Sequence, residues 1–122
     1  MNLFPGGSIS GNRLVLDDYL IPLPKLIASL VDDGQPITLG IRQEAVTVSK
    51  DPARNGIQLR GEVEAVEDDY VHRTQTVHVR TGKFRYSGIC PLDTALRVGQ
   101  LVHVSLDHER LYFFDTKSGK RL

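Results

Sequence analysis

Apolar and polar residues alternate with a period of two along most of the chain, the pattern of half-buried strands. The clearest run is Ile57 to Ala65. There Ile57, Leu59, Gly61, Val63 and Ala65 alternate with Gln58, Arg60, Glu62 and Glu64. The phase slips at Val66, which predicts a bulge or the strand end, and Gly61 offers a bend of its own. Glu67-Asp68-Asp69 then reads as a turn. Shorter alternating runs are Thr76 to Arg80, Lys83 to Ser87 and Leu101 to Leu106. Ile37, Leu39 and Ile41 form another, and Val46 with Val48 a shorter one. Arg110 to Asp115 is apolar on both faces, with Leu111 and Phe113 against Tyr112 and Phe114. Such a strand is central or part of an interface.

A single helix interrupts this pattern. Pro24 suits a first helical position, Leu26, Ile27, Leu30 and Val31 recur at helical spacing, and Gly34 sits where a C-terminal cap belongs. Lys25 at its start and Asp32-Asp33 at its end oppose the helix dipole, so packing must hold it. Lys50 to Gly56, with Pro52, reads as a surface loop separating an N-terminal portion from the better-patterned sheet. The expected fold is all-β with one short helix, a small β-barrel or sandwich.

At 122 residues the chain is about one domain long and large enough for a core without a metal or disulfide staple. Fifteen basic residues balance fifteen acidic ones, which argues against broad capture of nucleic acid or anionic lipid. The lone Cys90 excludes an internal disulfide and a cysteine-cluster metal site. No apolar run approaches the ~20 residues that span a bilayer. The N-terminus MNLFPGGSISG lacks the basic start and apolar core of a signal peptide. A cytoplasmic protein is expected.

No phosphate loop, GxGxxG, GxSxG or HExxH motif occurs, so this chain is expected not to be an enzyme. His72, His78, His103 and His108 lack the two-residue spacing that places ligands on one strand face. Glu62 and Glu64 share a face, and read as a solvated stripe beside Arg60 rather than an acid pair. Cys90, with no evident base, reads as a small buried residue. Lys83-Phe84-Arg85-Tyr86 interleaves basic and aromatic residues as a single-strand nucleic-acid surface does. Core on one face and solvated charge on the other is the simpler reading.

A set of short motifs, in order, resembles the C-terminal region of the ATP-binding subunits of sugar-type ABC importers, the maltose-transporter ATPase family. Ile37-Thr38-Leu39-Gly40-Ile41-Arg42-Gln43-Glu44 resembles its LGIRPE segment, with Gln43 in place of Pro. Gly61-Glu62-Val63 through Val66-Glu67 resembles its G-x-V-x-x-V-E strand, although Asp68-Asp69-Tyr70 replaces the usual Leu-Gly. Leu96 to Gln100 resembles the turn before a V-x-V strand. Phe114-Asp115-Thr116-Lys117-Ser118-Gly119-Lys120-Arg121-Leu122 resembles the F-D-x-x-T-G-x-R-L tail. Met1-Asn2-Leu3-Phe4-Pro5-Gly6 resembles the segment that follows the nucleotide-binding domain.

The resemblance implies one transport-associated OB domain over residues 1–122, an OB-like barrel forming the C-terminal part of a longer ATPase subunit. Met1 would then be internal to that protein or an artificial start. The chain itself would need no cofactor, ATP and Mg belonging to the upstream domain. Implied partners are a twin chain, the transmembrane permease subunits, and a regulatory protein or substrate effector, at the inner face of the plasma membrane. Gly40, Ile41, Arg42, Glu44, Gly61, Glu67, Asp115 and Gly119 become the structural signature. Arg42 and Glu44, two apart on one side of a strand, are expected to anchor a turn. Leu111, Tyr112, Phe113 and Phe114 become the candidate dimer surface, because a small barrel has one interior and one aromatic pair must face out. The alternative is that Leu14, Val15, Leu16, Leu20 and Ile21 fold back over that pair. Two other functions compete. One is a free-standing oxyanion barrel of the molybdate type, for which Thr116 to Gly119 is the one cluster of suitable donors. The other is an OB-type nucleic-acid module, resting on fold analogy.

Overall fold

The structure, a computed structural model, describes residues 1–122. Its strands are β1 (Asn2–Ser10), β2 (Arg13–Leu16), β3 (Tyr19–Pro22), β4 (Pro36–Ile41), β5 (Val46–Ser49), β6 (Ile57–Asp69), β7 (Thr74–Thr81), β8 (Phe84–Pro91), β9 (Leu101–Leu106) and β10 (Leu111–Asp115). One α-helix, α1 (Lys25–Ala28), is a single turn. No helix is long and apolar enough to cross a membrane.

The chain divides into two compact units. One comprises Met1–Asn2 with Ile41–Arg110, the other Leu3–Gly40 with Leu111–Leu122. The boundaries fall at Asn2, Gly40 and Arg110. The exposed loop 50–56 lies inside the first unit and separates nothing, a correction to the sequence reading.

The first unit is a closed five-stranded barrel in the order β5-β8-β7-β6-β9. The alternation predicts a small barrel or sandwich, and the closed barrel fits the OB-like fold that the family resemblance implies. Closure removes the free edges that a short open sheet would expose. Val63, Val77, Val79, Val102, Val104 and Leu106 fill its interior at every second position. β6 does not turn at Glu67 to Asp69: it stays paired with β7 out to Asp69 opposite Thr74. The turn comes at Tyr70 to Arg73, where Asp69 accepts the amides of Val71 and His72 at 3.1 Å each. The bulge falls between Val63 and Ala65, just before the phase slip visible in the sequence. Gly61 pairs in regular register with Val102 of β9. It lies where β7 approaches, and a Cβ there would collide with the Val79 side chain and come within 3.0 Å of the Arg80 carbonyl.

The second unit is a five-stranded sheet in the order β10-β4-β1-β2-β3. The sequence reading missed β1 to β3, although Gly11-Asn12 and Asp17-Asp18 are both hairpin signals between apolar pairs. Asp17 takes φ +53 and Gly11 φ +62, the left-handed conformation that such tight turns need. Phe4, Ile9, Leu14, Leu16, Ile21, Ile37, Leu39 and Phe113 are buried in this unit. β10 belongs to this sheet and not to the barrel, so the argument from a single barrel interior does not hold. The N-terminal strands extend the same sheet on the side of β4 away from β10.

The helix is shorter than its apolar spacing suggests. Leu26 is 72% exposed and Leu30 54%, so no packed face holds further turns. Pro24 supplies no side-chain cap and the first turn has no acidic residue, leaving the cost of nucleation unmet.

Candidate functional site

The C-terminal segment forms a hairpin that closes on Asp115. The Phe113 carbonyl accepts the Leu122 amide at 2.8 Å, the Asp115 amide donates to the Lys120 carbonyl at 2.9 Å, and the Gly119 amide donates to the Asp115 carbonyl at 2.7 Å. Gly119 takes φ +74, which only glycine adopts without strain. The Asp115 carboxylate accepts the Ser118 amide at 3.1 Å and the Gln35 carboxamide at 3.3 Å. The Ser118 hydroxyl, then Gln35, hold its pKa below the ordinary value, with Lys117 adding attraction. Within the one donor-rich cluster in the sequence, the Ser118 donors are thus already directed at a carboxylate.

β4 stands beside β10, and the Thr116 amide donates to the Pro36 carbonyl at 3.1 Å. Thr38 and Thr116 place their hydroxyl oxygens 3.0 Å apart. Leu3, Thr38, Phe114, Asp115, Thr116 and Gly119 line a depression of about 320 Å³. Phe114 and Tyr112 alternate with buried Phe113 and are half-buried, and the Arg121 guanidinium lies over the Tyr112 ring at 4.6 Å. The structure thus brings Asp115 and Gly119 of the signature, and Phe114 of the candidate dimer surface, together with Thr38, two positions before Gly40. Thr38 was legible as the polar phase between Ile37 and Leu39. Its meeting with Thr116, 78 residues later, was not.

In the barrel unit a set of polar side chains meets around Ser87, beside the turn that carries Arg42 and Glu44. Arg42 and Glu44 are exposed and do not continue a strand: Gln43–Ala45 is a 3-10 turn, closed by the Ala45 amide on the Arg42 carbonyl at 3.0 Å. Arg42 is still extended, at φ −74 and ψ 150, and the two-residue alternation ends with the 3-10 turn that follows it. Gln43 accepts the Ser87 hydroxyl at 3.0 Å and reaches Thr76 at 3.4 Å. Asn2 also meets Ser87, donating to its carbonyl at 2.7 Å and accepting its amide at 3.0 Å. Sequence reasoning gave Gln43 no role beyond its departure from the family pattern.

The remaining chemistry-bearing side chains serve the barrel surface. Glu62 and Glu64 pair not with Arg60 but across the sheet. Arg80 reaches Glu62 at 2.6 Å, and Arg85 reaches Glu64 at 3.2 Å. Antiparallel pairing puts Glu62 opposite Arg80 of β7, whereas Arg60 stands opposite His103 of β9. Glu67 lies 3.5 Å from His78, and both are exposed enough for water to screen the pair. His72 bonds Asp69 at 2.7 Å and lowers its pKa. No three His, Cys, Asp or Glu side chains gather as a metal site. Cys90 is buried, its Sγ donating to the Gln75 carboxamide oxygen at 3.4 Å, and burial raises its pKa. Phe84 and Tyr86 are inside, with the Tyr86 and Thr81 hydroxyls 2.7 Å apart. Those rings have no face left on which a base could stack.

A second concave surface lies on the barrel unit. Tyr70, Arg73, Pro91, Leu92 and Asp93 line a groove of about 550 Å³. Its floor is tied by the Leu92 amide donating to the Arg73 carbonyl at 3.1 Å. Arg73 carries the one positive charge of this lining.

No protein-family model matches the chain, and no curated protein matches it. Among solved structures it is similar to the cytoplasmic molybdate-binding protein ModG, in a crystal form with molybdate bound. The similarity has a TM-score of 0.70 at 12% identity, over 92% of this chain and 94% of that one. It establishes the shared fold, an OB-like barrel.

Proposed function

We propose that this chain is a non-catalytic ligand-binding barrel whose ligand is a small oxyanion of the molybdate type. The observation that carries the reading is its architecture, shared over nearly the full length of both chains with a protein that binds molybdate. The tail cluster is a poor place for an anion, because the Asp115 carboxylate already takes the Ser118 donors. The Arg73 groove offers a cation at a concave surface instead. Equilibrium dialysis of the 122-residue chain against molybdate, with sulfate in parallel, tests this. Molybdate is expected to accumulate on the protein side. Equal concentrations on both sides would refute the reading.

A second reading is favoured by one specific observation. Segments resembling the importer-ATPase signature, far apart in sequence, meet in space: Thr38 with Thr116 and Asp115 in the sheet unit, and Asn2 and Gln43 through a shared partner, Ser87, in the barrel unit. This supports a regulatory and dimerisation domain of an importer's ATP-binding subunit, peripheral to the membrane. Tyr112 and Phe114 would form part of its twin interface. Sedimentation equilibrium over a wide concentration range tests the self-association. A single 13.6 kDa species at the highest concentration would argue against it.

A further inference from the structure

We infer that the depression between β4 and β10 is a binding site for a neutral, polyhydroxylated small molecule, independent of any oxyanion site. Its lining is chemically divided. Phe114 and Leu3 supply apolar surface, suited to the C–H face of a compact ring or chain. Thr38 and Thr116 supply two hydroxyls 3.0 Å apart, each able to donate or accept. Asp115 supplies an ionised carboxylate that can only accept. That carboxylate does not swing freely, because Ser118 and Gln35 hold both of its oxygens.

Charge narrows the ligand. An oxyanion would be brought against a carboxylate kept ionised to below the usual pH range. A cation would meet the electrostatic competition of Lys117, which already acts on Asp115, and of Lys120 and Arg121 in the same short tail. A neutral ligand rich in hydroxyl donors satisfies the carboxylate and the threonines without either penalty. At about 320 Å³ the space lies at the small end of ligand sites, which limits the occupant to roughly a single sugar ring or a short polyol. Gly119 leaves the rim open: nothing lies within 4 Å of where its Cβ would stand.

The test is an amide-resolved NMR titration of the full chain with D-sorbitol, D-glucose, methylammonium and molybdate as separate probes. Sorbitol or glucose is expected to shift the amides of Thr38, Phe114, Thr116 and Gly119. Thr38→Val should keep the spectrum's dispersion, since valine suits a strand at least as well, and weaken that binding roughly tenfold. Absence of shifts at these amides with both polyols would overturn the inference. So would unchanged binding in Thr38→Val, or shifts there with methylammonium or molybdate in place of the polyols. Molybdate shifting amides elsewhere, or none at all, decides the oxyanion reading and leaves this one standing.

Discussion

Asn2 pairs with Ser87 as a neighbouring strand would: its carboxamide nitrogen donates to the Ser87 carbonyl at 2.7 Å while its oxygen accepts the Ser87 amide at 3.0 Å. One side chain thus satisfies both backbone groups of a residue 85 positions away. Asn2→Ala leaves these part-buried groups to water and should cost about 1–2 kcal/mol. Urea denaturation measures it. A midpoint equal to the parent's would mean that water serves Ser87 equally well.

Gly61 allows β6 and β7 to lie close. Gly61→Ala puts a methyl group against Val79, itself fixed in the barrel interior, with the Arg80 carbonyl 3.0 Å away. Overpacking of this kind costs about 1–3 kcal/mol. The expected result is a lower melting temperature with the strand content retained in circular dichroism. An unmoved transition would show that the barrel relaxes there at no cost.

Asp115 links tail folding to pH. Its folded pKa is lowered, chiefly by the Ser118 hydroxyl and next by Gln35, from an ordinary value of 3.8. A depressed carboxylate contributes stability that is present above the unfolded value and lost as pH falls through the folded one. The difference in stability between the parent and Asp115→Ala should therefore hold steady from neutrality down to about 3.8 and shrink below it. Denaturant midpoints measured across that range check the sign. A difference that grows in acid would refute the assignment.

The Arg73 groove makes the oxyanion reading specific. Arg73→Ala should weaken molybdate retention roughly tenfold, the loss of one charge-assisted contact. Asp93 lines the same groove, so Asp93→Asn should strengthen retention by a few-fold, on the order of the ~1 kcal/mol between unit charges at contact in water. Dialysis with both variants reads the two opposite signs. Equal retention by parent and variants would place the anion elsewhere.

Local pattern was enough for most of the barrel's strands and their inward faces. Val77, Val79, Val102, Val104 and Leu106 alternate strictly, and each is buried at its expected phase. A strand's side chains have only two directions, so alternation alone assigns the inside face. The phase slip near Val66 likewise announced the bulge at Glu64, because an extra residue must invert the pattern. The buried state of Cys90 followed from its lack of a chemical partner in the sequence.

What tertiary structure alone decided was which strands share a sheet and which side chains meet. The run from Leu111 to Asp115 reads as a strand in any context, yet nothing local says that it joins β4 and not the barrel. Arg60 and Arg80 are equally plausible partners for Glu62 in sequence, and only antiparallel register puts Arg80 opposite it. The helix at Lys25 failed for the converse reason: its apolar spacing was present, but no surface covered Leu26 or Leu30. Alternation, turn residues and glycines are properties of neighbours along the chain, so the sequence carries them directly. The meetings of Asn2 with Ser87 and of Thr38 with Thr116 span 85 and 78 residues, and exist only because the fold brings those distant segments to one place.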